Sequence, residues 1–309
     1  MQIRSRLMIA SVLALLMSDA QASKSLDLAL DLAKSKAYRS REVDWKTVET
    51  QARALEKSQG EDAAIQMVVS ALRDRHTSYR PAHTAAPGST TSTKPAPPSI
   101  VEVLLPHRSV PALQINRWSG SDQKGATSAV SSALNEVLSS KPCGLILDFS
   151  KNSGGNMWPM LIGLKPLLSD GELGGFRRPD GTIARITKED RVIQLGGTPH
   201  FLNYPLSATT QEPPKFIAII VGAKSASSGE ITPLMFFGQK NVKFFGQKSS
   251  GFTSANQVFP LPNGGTLVLT TSMTEDRNGR SHPTGIEPDS VTDKPFEEST
   301  QWLEQMCPR

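Results

Sequence analysis

A serine-rich turn carries the most informative chemistry in this chain. Residues 224–230 read Lys-Ser-Ala-Ser-Ser-Gly-Glu and lie between two apolar segments, 216–221 and 231–237. The first segment is rich in β-branched residues, which predicts a buried strand, and the second predicts the opening of a helix. A serine in such a turn is exposed beside the N–H groups of a helix N-terminus, which stabilise a developing anion. The turn therefore indicates a nucleophilic serine, although a plain helix N-cap uses the same residue types.

A glycine pair follows another predicted strand and has the composition of an oxyanion hole. The strand covers residues 144–149, and Gly154 and Gly155 lie in the turn that comes after it. Paired glycines let the backbone approach a ligand closely and turn its N–H groups inward. Acyl-transfer chemistry needs such donors where negative charge develops. An ordinary glycine-rich turn has the same composition, so the pair alone does not decide its role.

A serine nucleophile also needs a base, and histidine is the usual one near neutral pH. His76, in the Asp-Arg-His-Thr stretch at 74–77, is the leading candidate among five histidines. Of the other four, His83 lies in a predicted linker. The remaining three lie in loop-like contexts: His107, His200 and His282. A carboxylate that orients the base would come from Glu287 or Asp289, which spacing alone does not separate.

The elements that must position these residues begin with helices. Three helices are predicted between residues 24 and 80 from apolar side chains at helical spacing, the second capped by Asp44 and the third ending near 74–79. Residues 82–99 follow as a small, polar and proline-rich linker with nothing to bury. We therefore expect a helical N-terminal lobe at residues 23–81.

From residue 100 onward the pattern changes to alternating strands and helices. The predicted elements are strands at 101–105 and 112–118, a helix at 124–139, a strand at 144–149, a helix at 161–168, a strand at 216–221, a helix from Gly229 and a strand at 242–245. A hairpin follows, with strands at 258–262 and 266–271 joined by Asn263-Gly264-Gly265. This order predicts an α/β core at residues 100–309.

The first residues have the pattern of a secretory signal peptide. Arg4 and Arg6 precede an apolar core at 7–17, and Ala-Gln-Ala at 20–22 is a small-x-small cleavage site. The apolar core is too short to span a bilayer as an anchor, and no other apolar run approaches membrane length. The sequence therefore predicts a signal peptide at 1–22 and an exported product, periplasmic or secreted, without an integral membrane segment.

The composition and charge of the chain limit the kinds of binding partner and metal site that are expected. The formal net charge of +5 is spread along the chain, and no Lys/Arg run alternates with aromatic residues, so nucleic-acid binding is not expected. Two cysteines, Cys143 and Cys307, without neighbouring histidines do not make a zinc site. An exported chain meets an oxidising compartment, so a disulfide between them is favoured over two separate buried thiols.

In this order, the motifs resemble those of the C-terminal-processing, or tail-specific, serine peptidases, a family that includes the tricorn core protease. The matching pieces are the segments at 74–78, 146–148, 152–155, 225–230, 259–264 and 285–289. The resemblance implies a crotonase-like α/β core with a small helical N-terminal lobe and no metal or organic cofactor. It aligns Ser227 with the nucleophile, the N–H groups of Ser228 and of Gly154 or Gly155 with the oxyanion hole, and Glu287 with the acid. Glu230 is implied to be structural.

Three departures qualify the resemblance. Branches with a Ser-Lys dyad carry a Gly-Lys-Gly stretch, whereas this chain has Gly-Phe-Thr at 251–253 and Lys248 is out of register. The chain therefore resembles the branch that uses histidine, with His76 as base. Arg75 stands where the tricorn core protease has a relaying serine. Many members also carry a PDZ domain between the histidine segment and the core, and only the linker at 82–99 stands there.

These observations predict an exported serine endopeptidase in which Ser227 attacks a peptide carbonyl and His76 takes its proton. The expected partner is a polypeptide substrate recognised by the core cleft. Two alternatives stay open: a non-catalytic peptide-binding protein on the same fold, and a hydrolase of small-molecule esters or amides, because this constellation is not specific for peptides.

Overall fold

The computed structural model describes residues 24–82, 99–104, 110–203 and 212–308. The predicted signal peptide at 1–22 lies outside the described residues, as do residues 83–98 of the predicted linker. The chain divides into two compact units. Unit 1 comprises residues 1–93, 178–181 and 255–272, and unit 2 comprises residues 94–177, 182–254 and 273–309. Within the described residues, no helix has the length and apolar character needed to cross a membrane.

The helices follow the predicted order with corrected ends. They are α1 (24–36), α2 (Trp45–Gln59), α3 (Glu61–Ala71), α4 (Gln123–Leu138), α5 (Met157–Gly163), α6 (Ser228–Leu234) and α7 (Pro295–Met306), with 3-10 turns at Ser40–Glu42 and Lys165–Leu167. The expected helical end of α3 near 74–79 is wrong, because Arg73 adopts a positive φ of 49° and the chain turns there. The helix predicted at 161–168 instead begins at Met157, where Asn156 caps it through the N–H of Trp158.

The strands are β1 (Ser78–Arg80), β2 (Val101–Leu104), β3 (Ala112–Ile115), β4 (Gly144–Asp148), β5 (Gly171–Arg177), β6 (Ile183–Glu189), β7 (Val192–Leu195), β8 (Thr198–Pro199), β9 (Phe216–Val221), β10 (Val242–Gly246), β11 (Ser254–Pro260), β12 (Thr266–Asp276) and β13 (Ser290–Val291). The predicted strand at 112–118 ends early, at Ile115. Its last predicted residue, Trp118, makes an isolated bridge to Gly155 instead.

Unit 1 packs α1, α2 and α3 around their own apolar core, together with the predicted hairpin. β12 pairs with β1, with Tyr79 opposite Leu267. At the hairpin turn, the Asn263 side chain donates to Glu61 Oε2 and to the Tyr79 hydroxyl, each at 2.9 Å. Because the hairpin is held by pairing with β1 and by polar contacts to Tyr79 and to Glu61 of α3, the segment 255–272 groups with the N-terminal unit.

Unit 2 is built on a mixed sheet in the order β13-β10-β9-β4-β3-β2, in which all pairs are parallel except β2 with β3. Its central strands β4 and β9 are almost wholly buried, as their continuous apolar runs require. The carboxyl ends of parallel strands meet at one edge of a sheet, and the loops there form the usual site in α/β folds. The glycine pair follows β4 at that edge, and the serine turn follows β9.

Strands β5 to β8 form an antiparallel meander that the sequence pattern did not indicate. They pair in the order β5-β6-β7-β8, and β5 also pairs with the end of β12. β5 reads Gly-Glu-Leu-Gly-Gly-Phe-Arg and β6 carries several charges, so neither has an apolar run or a clean alternation. Their strand conformation depends on pairing with neighbours that are distant in the chain, which local patterns do not report.

A disulfide joins Cys143 to Cys307, with their Cα atoms 5.9 Å apart. Cys143 directly precedes β4, and Cys307 directly follows α7, whose Leu303 and Trp302 pack on the sheet. The bond closes a sequence separation of 164 residues and attaches the C-terminal helix to the central strand.

Removing this disulfide is expected to destabilise the protein without changing its chemistry. Because a long cross-link constrains the unfolded chain, the double variant Cys143→Ser/Cys307→Ser should lose about 2–5 kcal/mol of unfolding free energy. Its thermal midpoint, followed by circular dichroism, should fall by roughly 4–20 °C. The unaltered protein treated with a reductant should show the same shift. Equal midpoints for the oxidised protein and the variant would contradict the expectation.

Candidate active site

Ser227 lies at the turn between β9 and α6 and has an unusual backbone conformation. Its φ is 54° and its ψ is −123°, and it is one of four described non-glycine residues with a positive φ. Such a conformation costs on the order of 1–3 kcal/mol and persists only where the surroundings enforce it. A strained residue at a strand-to-helix turn is how a nucleophilic serine is presented above an α/β sheet. The conformation therefore distinguishes Ser227 from the serines beside it.

The neighbouring serines instead hold the turn in place. Ser225 is fully buried, and its hydroxyl donates to the Phe149 carbonyl at 2.8 Å and accepts from the Gly222 N–H at 3.0 Å. The Ser228 hydroxyl donates to the Gly155 carbonyl at 2.5 Å. Each hydroxyl is thus committed to the backbone of an adjoining loop.

Glu230 fixes the other side of the turn. Its carboxylate is fully buried and accepts from the N–H of Ser227 at 3.1 Å, from the N–H of Gly251 at 2.8 Å and from the N–H of Phe252 at 2.7 Å. The Ser249 hydroxyl also donates to it. Four donors satisfy a buried charge that would otherwise be costly. This agrees with the structural role that the sequence implied for Glu230.

Gly154 lies against Ser227, and Gly155 lies against the backbone of Trp118. A Cβ on Gly154 would lie 2.8 Å from Ser227 Cβ and 3.3 Å from its Oγ, and a Cβ on Gly155 would lie 1.9 Å from the Trp118 carbonyl oxygen. Both glycines have positive φ angles, 109° and 114°. Any side chain here would therefore clash with Ser227 or with the backbone of Trp118, which explains why two glycines are needed.

The two glycine amides differ in their partners. The Gly154 N–H donates to Asn152 Oδ1 at 2.9 Å. Among the described residues, none accepts a hydrogen bond from the N–H of Gly155 or from that of Ser228. Of the three amides that the sequence suggested for the oxyanion hole, Gly155 and Ser228 are therefore the two with a donor still to offer.

His76 belongs to unit 1, where a carboxylate accompanies it. Asp74 accepts from the His76 backbone N–H at 3.0 Å and from the Thr77 hydroxyl at 2.6 Å. Burial would raise the pKa of Asp74, but hydrogen bonds from Thr270, Thr77 and His76 outweigh it and lower the pKa. Burial lowers the pKa of His76 below 6.5, and the Asp74 carboxylate offsets part of this shift. At neutral pH the imidazole is therefore neutral and able to accept a proton.

Glu287 and Lys248 form an ion pair with each other. Lys248 Nζ lies 2.5 Å from Glu287 Oε1, and both side chains are exposed. The carboxylate of Asp289, the alternative acid, accepts from the Phe244 N–H in β10 at 2.8 Å and so has a structural partner. Glu287 as the orienting acid stays a prediction.

The histidines that are alternatives to His76 as the base differ from it in their neighbours. His282 Nε2 lies 2.9 Å from the buried carboxylate of Asp276. His200 stacks on Trp158 with ring centroids 4.1 Å apart, and burial lowers its pKa. His83 and His107 lie outside the described residues.

Residues 109–292 match the family model for peptidase family S41, a span of more than half of the chain. The chain belongs to peptidase family S41. The matched span contains Ser227, Gly154, Gly155 and Glu287, whereas His76 precedes it. Family membership identifies this part of the chain as a serine-type peptidase domain and agrees with the resemblance that the motifs indicated.

Two curated relatives are similar over part of their length. The nisin-resistance protein of Lactococcus lactis subsp. lactis is 34% identical over 161 residues, which cover 52% of this chain and 49% of that protein. The carboxy-terminal-processing protease of Bartonella bacilliformis is 26% identical over 171 residues, which cover 55% of this chain and 36% of that protein. The chain therefore matches half or less of the length of either relative.

Solved structures resemble the chain more completely. A lipoprotein from Streptococcus agalactiae superposes with a TM-score of 0.72 at 28% identity, covering 93% of this chain and 97% of that one. The photosystem II D1 C-terminal processing protease superposes with a TM-score of 0.59 at 14% identity, covering 87% and 92%. The second likeness concerns the fold alone, which is the mixed α/β fold of S41 peptidases.

Two residues of the site region were missed by sequence reasoning. The sequence pattern gives Asp74 no role of its own beyond its motif, yet its side chain accepts from the His76 N–H and its carboxylate raises the pKa of His76. The pattern likewise gives Asn152 no role, yet it accepts from the Gly154 N–H in its own loop and from the Ala226 N–H in the turn that carries Ser227. The Asp-x-His spacing was a usable signal for Asp74, because aspartate side chains bond to the backbone two residues on.

Proposed function

We propose that this protein is an exported serine endopeptidase with Ser227 as nucleophile and His76 as general base. The observation that carries the proposal is the strained conformation of Ser227, together with the amides of Gly155 and Ser228, which find no acceptor within the described part of the chain. A reactive hydroxyl and converging N–H donors are what acyl transfer requires. The S41 family membership supports peptide bonds as the substrate class.

The proposed reaction has two halves. Ser227 Oγ attacks the peptide carbonyl carbon while His76 takes the hydroxyl proton, and the amides of Gly155 and Ser228 hold the oxyanion. The tetrahedral adduct then collapses, the C–N bond breaks, and His76 returns the proton to the leaving amine. Water attacks the acyl-enzyme by the same route, which releases the acid product and restores Ser227.

The choice of histidine over lysine as base rests on protonation. A general base must be uncharged at the working pH, and burial lowers the pKa of His76 so that its neutral form dominates near pH 7. Lys248 is exposed and ion-paired with Glu287. We further infer that the Asp74 carboxylate stabilises the imidazolium that forms during attack, with Glu287 kept as the acid that the resemblance implies.

The family match does not specify the domain bounds of the chain or its cellular location. We infer a crotonase-like core at 100–309, a helical N-terminal lobe at 23–81, a linker at 82–99 and a signal peptide at 1–22. The parallel sheet order and the N-terminal helices support the first two assignments. The similarity to a protein described as a lipoprotein supports export, whether to a periplasm or beyond it.

The substrate is proposed to be a flexible polypeptide that enters the core cleft directly. The linker where many family members carry a PDZ domain makes capture of substrate C-termini by such a domain unexpected. One relative is named for resistance to nisin, which makes that peptide a sensible second substrate beside an unfolded model protein.

Peptide mapping by mass spectrometry after incubation with the purified protein tests the proposal. Cleavage of the unfolded protein or of nisin, together with labelling of Ser227 by a fluorophosphonate probe, is the expected result. Fast cleavage of p-nitrophenyl esters without any peptide cleavage would assign the site to small-molecule hydrolysis. If peptides bind but are not cut, and the fluorophosphonate does not label Ser227, the protein is a non-catalytic binder and the proposal fails.

A further inference from the structure

Asn152 is a buried polar residue that the proposed reaction does not use directly. It lies in the loop after β4, and its side chain is fully shielded from solvent. A buried amide persists only when its hydrogen-bonding groups find partners, because an unpaired one costs about 1–3 kcal/mol. The identity of those partners therefore indicates what the residue does.

The side chain of Asn152 shapes the loop of the oxyanion hole. Its Oδ1 accepts from the Gly154 N–H at 2.9 Å, an Asx-type turn that closes on the residue two positions ahead. With the Gly154 amide held in this way, the next amide, that of Gly155, is the one left without an acceptor among the residues that the structure covers. The Asn152 side chain thus selects which glycine presents its N–H.

The backbone of Asn152 holds the turn that carries the nucleophile. Its carbonyl oxygen accepts from the Ala226 N–H at 3.0 Å. On the other side of Ser227, a Cβ on Gly229 would come within 2.0 Å of the same oxygen, so helix α6 begins in direct contact with it. One residue therefore contacts the chain immediately before Ser227, the start of α6 and the glycine loop.

The amide nitrogen of Asn152 anchors this arrangement to the sheet. Nδ2 donates to the Asn116 carbonyl at 3.3 Å and lies 3.4 Å from Met160 Sδ in α5. Asn116 follows β3, the strand next to β4. The position of the side chain is thus determined by two elements of the core rather than by the loop itself.

We propose that Asn152 is a positioning residue that sets the distance between Ser227 Oγ and the Gly155 N–H. This inference rests on the proposed function, because it assigns a role within the same site. Asn152 does not contact the reacting atoms. It acts through the two loops that do. A displacement of about 1 Å between reacting groups costs roughly 100-fold in rate, and loss of one oxyanion donor costs about 10²–10³-fold.

Two substitutions of nearly equal size separate positioning from packing. Asn152→Ala and Asn152→Ser remove similar volumes, but the serine hydroxyl can still accept from the Gly154 N–H, more weakly than asparagine. We expect kcat for peptide cleavage to fall about 100-fold in Asn152→Ala and about 10-fold in Asn152→Ser, with KM changed less than about threefold. The control Asn135→Ala, on α4, should keep the kcat of the unaltered protein.

Phosphonylation of Ser227 by a fluorophosphonate provides a second readout, because the probe places an oxygen in the oxyanion hole without requiring peptide cleavage. The second-order rate constant should follow the same order as kcat. If the unaltered protein is labelled but cleaves no peptide, the proposed function fails and the positioning role is still measured. Equal rate constants for Asn152→Ala and Asn152→Ser, when both fold, would overturn the inference. If Asn152→Ala does not fold, equal rate constants for the unaltered protein and Asn152→Ser would overturn it.

Discussion

Replacing Ser227 with alanine is expected to reduce peptide cleavage by about 10⁴-fold or more, to near the background of the assay. The hydroxyl forms the covalent bond to the acyl group, and no other group of the site can take its place. Ser225 and Ser228 lie in the same turn, but the hydroxyl of each is hydrogen-bonded to the backbone of an adjoining loop. The oxyanion donors remain in the variant, so the residual rate should still exceed that of the uncatalysed reaction.

Initial rates on a fluorogenic peptide, derived from a mapped cleavage site, measure this effect. Ser139→Ala is a matched control, because Ser139 is an exposed serine at the end of α4 whose hydroxyl bonds only to its own helix. It should leave the rate unchanged. Thermal midpoints close to that of the unaltered protein for both variants would exclude unfolding as the cause. Substantial cleavage by a folded Ser227→Ala variant would show that another residue is the nucleophile.

Replacing His76 with alanine should be almost as damaging, with a loss of about 10⁴-fold in kcat at neutral pH. Without the imidazole, nothing removes the proton from Ser227 as the bond to the substrate forms. Lys248→Met is the discriminating comparison, because the Ser-Lys branch of the family would lose activity with it. We expect this variant to retain the rate of the unaltered protein. Inactive Lys248→Met beside active His76→Ala would instead make lysine the base.

The pH dependence of kcat/KM gives the same assignment a second test. The base must be unprotonated, so activity rises with pH through the pKa of His76 in the free enzyme. Burial lowers that pKa, so the half-maximal point of the acid limb should lie below pH 6.5. The Asp74 carboxylate raises the pKa of His76, so Asp74→Asn should move the limb further down. An acid limb above pH 6.5 would contradict this account.

Local sequence patterns are sufficient to predict those elements whose own residues have a strong apolar or turn-forming pattern. The apolar run at 216–221 predicted β9 with its observed ends, and Asn-Gly-Gly at 263–265 predicted the hairpin turn. Both signals are local, since burial of a continuous apolar strand and the φ > 0 requirement of a turn act on neighbouring residues. The same was true of the motifs, whose order along the chain was enough to indicate the S41 family.

Other features depended on neighbours that the linear pattern does not reveal. The strands β5 to β8 have glycine-rich or charged sequences and acquire their conformation by pairing. In the proposed site, the choice between Gly154 and Gly155 as oxyanion donor depends on Asn152, whose side chain accepts a hydrogen bond from the Gly154 N–H. The sequence spacing does not distinguish the two glycines, whereas their hydrogen bonds do, because only the Gly154 N–H donates to Asn152.

The sequence by itself thus determined the family, the order of the catalytic motifs and the strands with strong apolar patterns, because these follow from residue type and short-range spacing. The tertiary structure decided the strained backbone of Ser227 and the four hydrogen-bond donors to Glu230, and it supplied the close approach that the favoured disulfide between Cys143 and Cys307 needs. Each of these requires atoms from segments far apart in the chain to meet at hydrogen-bond or covalent distance, and only the packed sheet and helices bring them there.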